Sequence, residues 1–297
     1  MRVGVTVPLA DGDTADGRAP TFEETAAFAR HAEAAGLDSV WVFDHLLFRV
    51  AGEPEEGVRE AWTTLAALAP VVSRVELGAL VMCSSFRNPA LMAKMAATLD
   101  DLSGGRAILG LGSGWHDPEY EAFGYPVDHK VGRFAEDLEI TTRLLRGERV
   151  SFQGRWREVA DAVLLPPPLR PVPVLVASKG ERMLQLTATW ADAWNTAWFG
   201  RVDERLRARL AGLSAACEAV GRDPATIRRT IGIQLRDPGS GTGDALSLDA
   251  DATGLADFLD ELAALGVDDA LVWSISKSDA SLDRIAEART VHLARMS

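Results

Sequence analysis

Apolar runs and helical patterns alternate along the whole chain. Short, nearly continuous apolar runs fall at 3–7, 39–43, 75–81, 107–111, 172–176, 193–195, 229–235 and 269–273. Each precedes a stretch with helical spacing of apolar positions, at 21–35, 61–72, 89–102, 132–145, 181–190, 203–220, 255–265 and 282–294. Runs that are apolar at consecutive positions suit parallel strands covered on both faces. Eight βα units in 297 residues predict one (β/α)8 barrel over 1–297. The stretch 86–115 is the fullest of them. Asn88 and Pro89 predict a helix start, Leu91, Met95, Leu99 and Leu102 share one face, and Ser103-Gly104-Gly105 stops the helix. A strand follows and opens into Gly112-Ser113-Gly114-Trp115.

Three features interrupt this rhythm. The segment 147–173, with SFQGRW and PPPLRPVP, reads as an inserted extended or hairpin piece before the fifth strand. It leaves a helix and enters a strand, so it is expected away from the mouth. The Gly- and Asp-rich segment 236–253 follows the seventh strand and is expected at the mouth, as a lid or a plain loop. The loops 8–20 and 46–59 are also long and follow strands.

Composition narrows the partners. A net charge of −12 argues against nucleic acid, which needs a basic face. Cys83 and Cys217 lie too far apart to form a disulfide framework, so a reducing cytoplasm is expected. The opening residues do not resemble a signal peptide, and no apolar run is long enough for a membrane span.

Candidate chemistry sits where strands end, since ligands of α/β barrels bind at the carboxyl ends of strands. The second strand ends in Asp44-His45, a pair able to donate protons, anchor a ligand or hold a metal. The fourth runs through Gly110, Gly112 and Gly114 to Trp115, His116, Asp117 and Glu119. Trp115 stands where a dinucleotide fingerprint needs its third glycine, so what remains is a close backbone approach with Trp115 as a stacking wall. The fifth leads into Ala177-Ser178-Lys179-Gly180, either an ordinary helix start or a phosphate-sized anion site. No HxH pair supports a metal site, and no G-x-S-x-G elbow supports a serine nucleophile. Phe48, Trp115, Trp194, Trp198 and Phe199 lie near strand ends and predict an apolar pocket.

Three of these stretches, in order, carry a resemblance: AAGLDSVWVFDHL, then ELGALVMCSSFRNPALMAKMAATLDDLSGGRAILGLGSGW, then PVLVASKGERMLQLTATWADAWN. Together they resemble the luciferase-like monooxygenase superfamily over nearly the whole chain. The resemblance implies a (β/α)8 barrel with an inserted segment that binds a flavin or the deazaflavin coenzyme F420. The Asp44-His45 pair is similar to the F420 branch, which implies hydride transfer. It implies His45 as proton donor near the ring, with His116 or Glu119 next and Asp44 beside it. It further implies a bulge with a non-prolyl cis peptide within Leu80, Val81 and Met82, Cys83 facing the cofactor, and Ser113 and Gly114 along its ribityl side. Ala177, Ser178, Lys179 and Gly180 match the phosphate turn, although relatives often carry a run of glycines there. Trp115 replaces an acid found in the sugar-phosphate dehydrogenases of the family, which argues against such a substrate. Arg49, Arg59, Lys179 and Arg182 are the positive charges near mouth loops. The expected partner is a small-molecule substrate, and the expected assembly a homodimer. FMN, used with O2 and fed by a separate cofactor reductase, is the alternative; a non-catalytic ligand-binding barrel is the second.

Overall fold

The computed structural model describes residues 1–240 and 246–296. Eight parallel strands form a closed barrel: β1 (Arg2–Thr6), β2 (Ser39–Val42), β3 (Glu76–Ala79), β4 (Ala107–Gly112), β5 (Val174–Ala177), β6 (Ala193–Thr196), β7 (Arg228–Arg236) and β8 (Asp269–Ser274). Pairing of β8 with β1 and of β4 with β5 closes the ring in sequence order. The helices are α1 (Phe22–Ala34), α2 (Ala61–Leu68), α3 (Pro89–Leu102), α4 (Asp117–Phe123), α5 (Lys130–Leu145), α6 (Glu181–Trp190), α7 (Glu204–Ala219), α8 (Ala252–Ala264) and α9 (Asp279–Met296). Of these helices α4, a short one after β4, was not foreseen as a separate element.

The barrel interior is layered. At its base, where strands begin, Arg228 pairs with Asp269 and with Glu76 (3.1 Å), and Arg2 joins them. Above lies Trp41, packed with Ile108, Leu175, Ala193 and Leu271. Gly4 and Gly78 clear its volume: a Cβ on Gly78 would lie 2.3 Å from the indole. Leu80 and Val81 rest on this layer. Filling the barrel to this height leaves only its upper end open.

The third strand breaks there. The Leu80–Val81 peptide is cis, as the resemblance implied, and pairing resumes at Met82–Cys83 against Leu111 and Gly112. The glycines of β4 answer to this break. A Cβ on Gly110 would lie 1.8 Å from the Ala79 carbonyl oxygen, one on Gly112 2.6 Å from Val81 Cγ2, and one on Gly114 1.7 Å from Tyr120 Oη. The close approach expected at these glycines is therefore to the chain's own neighbours.

Two expectations need correction. In α3 the buried face is Met92, Ala93, Ala96, Ala97 and Leu99, while Leu91 and Leu102 are exposed. Small alanines let the helix lie close to the strands, which turns the larger side chains outward. The inserted segment forms a hairpin, Val150–Gln153 with Glu158–Ala162, but its tip climbs α5 toward the mouth. Trp156 covers Gly132 near the start of α5 and shares a surface pocket with Arg182 at the start of α6. Glu136 holds the tip by accepting from the backbone N–H groups of Arg155, Trp156 and Arg157 at 2.7, 2.9 and 2.8 Å. Glu136→Ala should release it, so trypsin should cut after Arg155 and Arg157 several-fold faster while the barrel's melting temperature moves little. Unchanged cleavage would show that the tip is held otherwise.

The mouth loops pair with each other: Leu47–Phe48 with Glu56–Gly57, and Ala10 with Val58. Ser247–Asp249 adds a short strand beside β7. Part of the proposed lid at 236–253 falls at 241–245, outside the described residues. No described helix is long and apolar enough to cross a membrane.

Candidate active site

A cavity of about 370 Å³ opens at the carboxyl ends of β2 to β6. Of the residues singled out from sequence, Asp44, His45, Leu80, Val81, Cys83, Ser113, Gly114, Trp115, Glu119, Ala177, Ser178, Lys179 and Gly180 line it. Met82 and His116 do not line it. Met82 points away from Cys83, as successive strand residues must, and is fully buried in the outer core. Trp194 and Phe199 are also core residues, whereas Trp198 lines the cavity.

His45 and Glu119 meet. Glu119 is buried on α4 and accepts from His45 Nδ1 at 3.0 Å and from the Leu46 N–H at 2.8 Å. This fixes the imidazole and leaves Nε2 without a hydrogen-bond partner among the described residues, so the ring has one nitrogen for a ligand. Trp115, 69% exposed, stands edge-on to His45 with centroids 5.5 Å apart.

Asp44 has structural partners. Its carboxylate accepts from Cys83 N–H at 2.8 Å and from both Arg87 Nη atoms at 2.6 and 3.0 Å, and Arg87 continues to Glu60. Burial pushes the Asp44 carboxyl up, against the pull of Arg87. Asp44 thus ties the resumed third strand to β2. Tyr120 Oη donates to the Ser113 carbonyl at 3.1 Å, so the Cys83 thiol donates to Tyr120 at 2.8 Å. Burial pushes Cys83 up to about 11, which keeps it a thiol rather than a nucleophile at neutral pH.

His116 serves the loop rather than the cavity. Its Nε2 accepts the Arg49 N–H at 3.0 Å, a bond only the neutral ring can make, and burial pushes its pKa below the ordinary 6.5. A base with a depressed folded pKa stabilises above its unfolded pKa and loses that contribution as pH falls through the folded value. Hydrogen exchange at the Arg49 amide, corrected for intrinsic rate, should therefore be less protected at about pH 5 than at about pH 7.5. Equal protection would contradict this.

The fifth-strand turn lines the cavity rather than filling it. Ser178 is engaged internally, its hydroxyl with Thr187 and its N–H with the Asn195 carbonyl. The start of α6 at Gly180 has no side-chain cap. Lys179 there has its pKa lowered by burial and by the neighbouring Arg209 and Arg205. Arg209 donates to the Lys179 carbonyl and Arg205 to the Trp198 carbonyl at 2.8 Å, and of the three only Lys179 lines the cavity.

Sequence reasoning missed the β6 end. Asn195, Thr196 and Ala197 line the cavity, as does Met183. Asn195 donates to Thr230 Oγ1 at 2.8 Å, while the buried Thr196 hydroxyl has no partner among the described residues. The signal was position alone: they follow a short strand whose end converges with the others. Among the described residues no group of His, Cys, Asp or Glu could hold a metal ion.

Comparison with known proteins agrees with this geometry. A family model described as luciferase-like monooxygenase matches residues 1–235. The F420-dependent glucose-6-phosphate dehydrogenase of Kineococcus radiotolerans is 36% identical over 214 residues, 71% of this chain and 63% of that protein. The phthiodiolone/phenolphthiodiolone dimycocerosates ketoreductase of Mycobacterium bovis is 37% identical over 229 residues, 70% of this chain and 59% of that protein. This chain thus covers less than two thirds of the length of these curated relatives. A solved F420-dependent secondary alcohol dehydrogenase, in complex with an F420-acetone adduct, superposes with a TM-score of 0.83 at 18% identity, covering 98% of each chain. The matched residues and the shared barrel lead to one conclusion: the chain belongs to the luciferase-like monooxygenase family.

Proposed function

We propose that the protein is a coenzyme F420-dependent oxidoreductase acting on a small carbonyl compound, or the matching alcohol, at the barrel mouth. One observation carries this reading. A histidine backed by a buried carboxylate and a lysine at an uncapped helix start line the same cavity. The residues fit the cofactor. Lys179 suits its phosphate or anionic tail, and the start of α6 adds backbone donors. The backbone of Gly112, Ser113 and Gly114 and the unpartnered Thr196 hydroxyl suit a flat ring with polar edges.

When bound, F420 supplies or accepts a hydride. The chain positions the substrate and moves the proton. Glu119 holds His45 by Nδ1, so protonated Nε2 would give its proton to the carbonyl oxygen of a bound substrate. In the reverse direction Nε2 takes the hydroxyl proton, and Glu119 stabilises the imidazolium so formed. The relatives named for F420 support this choice over FMN. A homodimer belongs to the same proposal, and the exposed Leu91 and Leu102 on α3 are its candidate contact.

Lys179→Ala should weaken F420 binding by about tenfold, and added salt should narrow the gap from wild type. Fluorescence titration of the cofactor measures both. Equal affinity of wild type and variant would remove Lys179 from the site.

A further inference from the structure

Resting on that reading, we infer that the substrate is an uncharged ring compound, an aromatic or alicyclic ketone or its alcohol, held against an aromatic wall beside His45. An arc of rings runs along one side of the mouth. Trp198 meets Trp273 edge-on at 5.6 Å, and Trp273 lies 4.6 Å from Phe43. Phe43 is followed by Phe48 at 6.4 Å, Phe48 by His45 at 4.3 Å, and His45 by Trp115 at 5.5 Å. Trp198, His45 and Trp115 line the cavity, and Trp273, Phe43 and Phe48 back them without lining it. The wall has a cleared place in the fold. A Cβ on Gly232 of β7 would lie 2.5 Å from Ala197 Cβ and 2.9 Å from Trp198 Cε3, so this strand leaves room for the Trp198 indole.

Charge along the wall is already engaged. Glu119 answers to His45 and the Leu46 N–H, and Asp44 to Arg87. The Lys277 ammonium sits 4.6 Å over the Trp273 ring and donates to Thr6 Oγ1 at 2.6 Å and to the Thr6 carbonyl at 3.3 Å. Lys179 lines the cavity at the β5 turn, where the cofactor reading already uses it. On this side of the cavity a phosphate would meet no lining lysine or arginine among the described residues, Lys277 being held by Thr6 behind the lining, and burying a poorly paired charge is far costlier than burying a neutral group. A neutral ring meets no such penalty and gains the edge and face contacts that aromatic walls offer. The relative named for glucose 6-phosphate therefore does not lend this chain its substrate.

Ligand-observed NMR titration of the full chain, with and without F420, tests the inference with acetophenone, cyclohexanone and glucose 6-phosphate. Acetophenone and cyclohexanone should bind at least tenfold more tightly than glucose 6-phosphate. Trp273→Ala should weaken acetophenone about tenfold. Trp115→Ala, at a largely exposed ring that the fold does not need, should weaken it several-fold, so the test survives if the Trp273 variant fails to fold. Glucose 6-phosphate binding as tightly as the ring compounds would overturn the inference. So would ring compounds that do not bind, or whose binding ignores both Trp115→Ala and any folded Trp273 variant. Failure of F420 to bind, with ring binding intact, would instead overturn the cofactor reading and leave this one standing.

Discussion

His45→Ala should slow hydride transfer by about 10²- to 10⁴-fold in a single turnover while F420 affinity changes little. The size follows from removing a positioned proton donor without touching Lys179 at the β5 turn. His45 is half-buried on the loop after β2, and among the described residues its side chain hydrogen-bonds only to Glu119. Its loss therefore removes chemistry more than stability. Glu119→Gln separates donor from positioner. The glutamine oxygen can still accept one N–H, but its amide then faces the other of His45 Nδ1 and Leu46 N as a second donor. It should lower the rate by a smaller factor and change its pH profile, because the imidazolium loses its counter-charge. Stopped-flow absorbance on the reduced and oxidised cofactor reads both. A single-turnover rate in His45→Ala equal to wild type would remove the histidine from the mechanism.

Gly110→Ala should disrupt the site through the fold. The added methyl would lie 1.8 Å from the Ala79 carbonyl oxygen and 3.0 Å from its carbon, and both are backbone atoms. No rotamer change relieves that contact, so the 79–83 segment must move. Overpacking of this kind costs about 3 kcal/mol or more when the obstacle cannot yield. Leu80, Val81 and Cys83 line the cavity, so its shape moves with them. The variant should melt well below wild type and lose measurable F420 binding. Gly180→Ala is the control for stability: its φ is −94° and a Cβ there meets nothing within 4 Å. Its melting temperature should match wild type. A Gly110→Ala protein with native stability and affinity would show that the glycine is incidental.

Much of this architecture was legible in the sequence. The apolar runs gave all eight barrel strands to within a few residues, because a strand buried on both faces must be apolar at consecutive positions. Asn88 and Pro89 start α3 as read, with the Asn88 side chain accepting from Ala90 and Leu91 N–H. The mouth followed from the strands, since their ends converge whatever their residues. Less legible was whatever depends on a neighbour distant in sequence. Gly110 and Gly112 are explained by the path of β3 and Gly114 by Tyr120, neighbours the sequence does not mark. Asp44 lines the cavity, but its tie to Arg87, 43 positions on, carried no mark in the sequence. His116 and Glu119 stood alike in the sequence. One turn of α4 sends Glu119 to His45 and leaves His116 on the Arg49 backbone. Thr196 had no sequence mark beyond following a short strand.

The account turns on which cofactor the cavity holds. Equilibrium titration of the purified protein with F420 and, separately, with FMN tests it most directly, followed by cofactor fluorescence at fixed salt. The account predicts saturable F420 binding, weakened in Lys179→Ala, with FMN at least tenfold weaker. Tight FMN binding without F420 binding would contradict it.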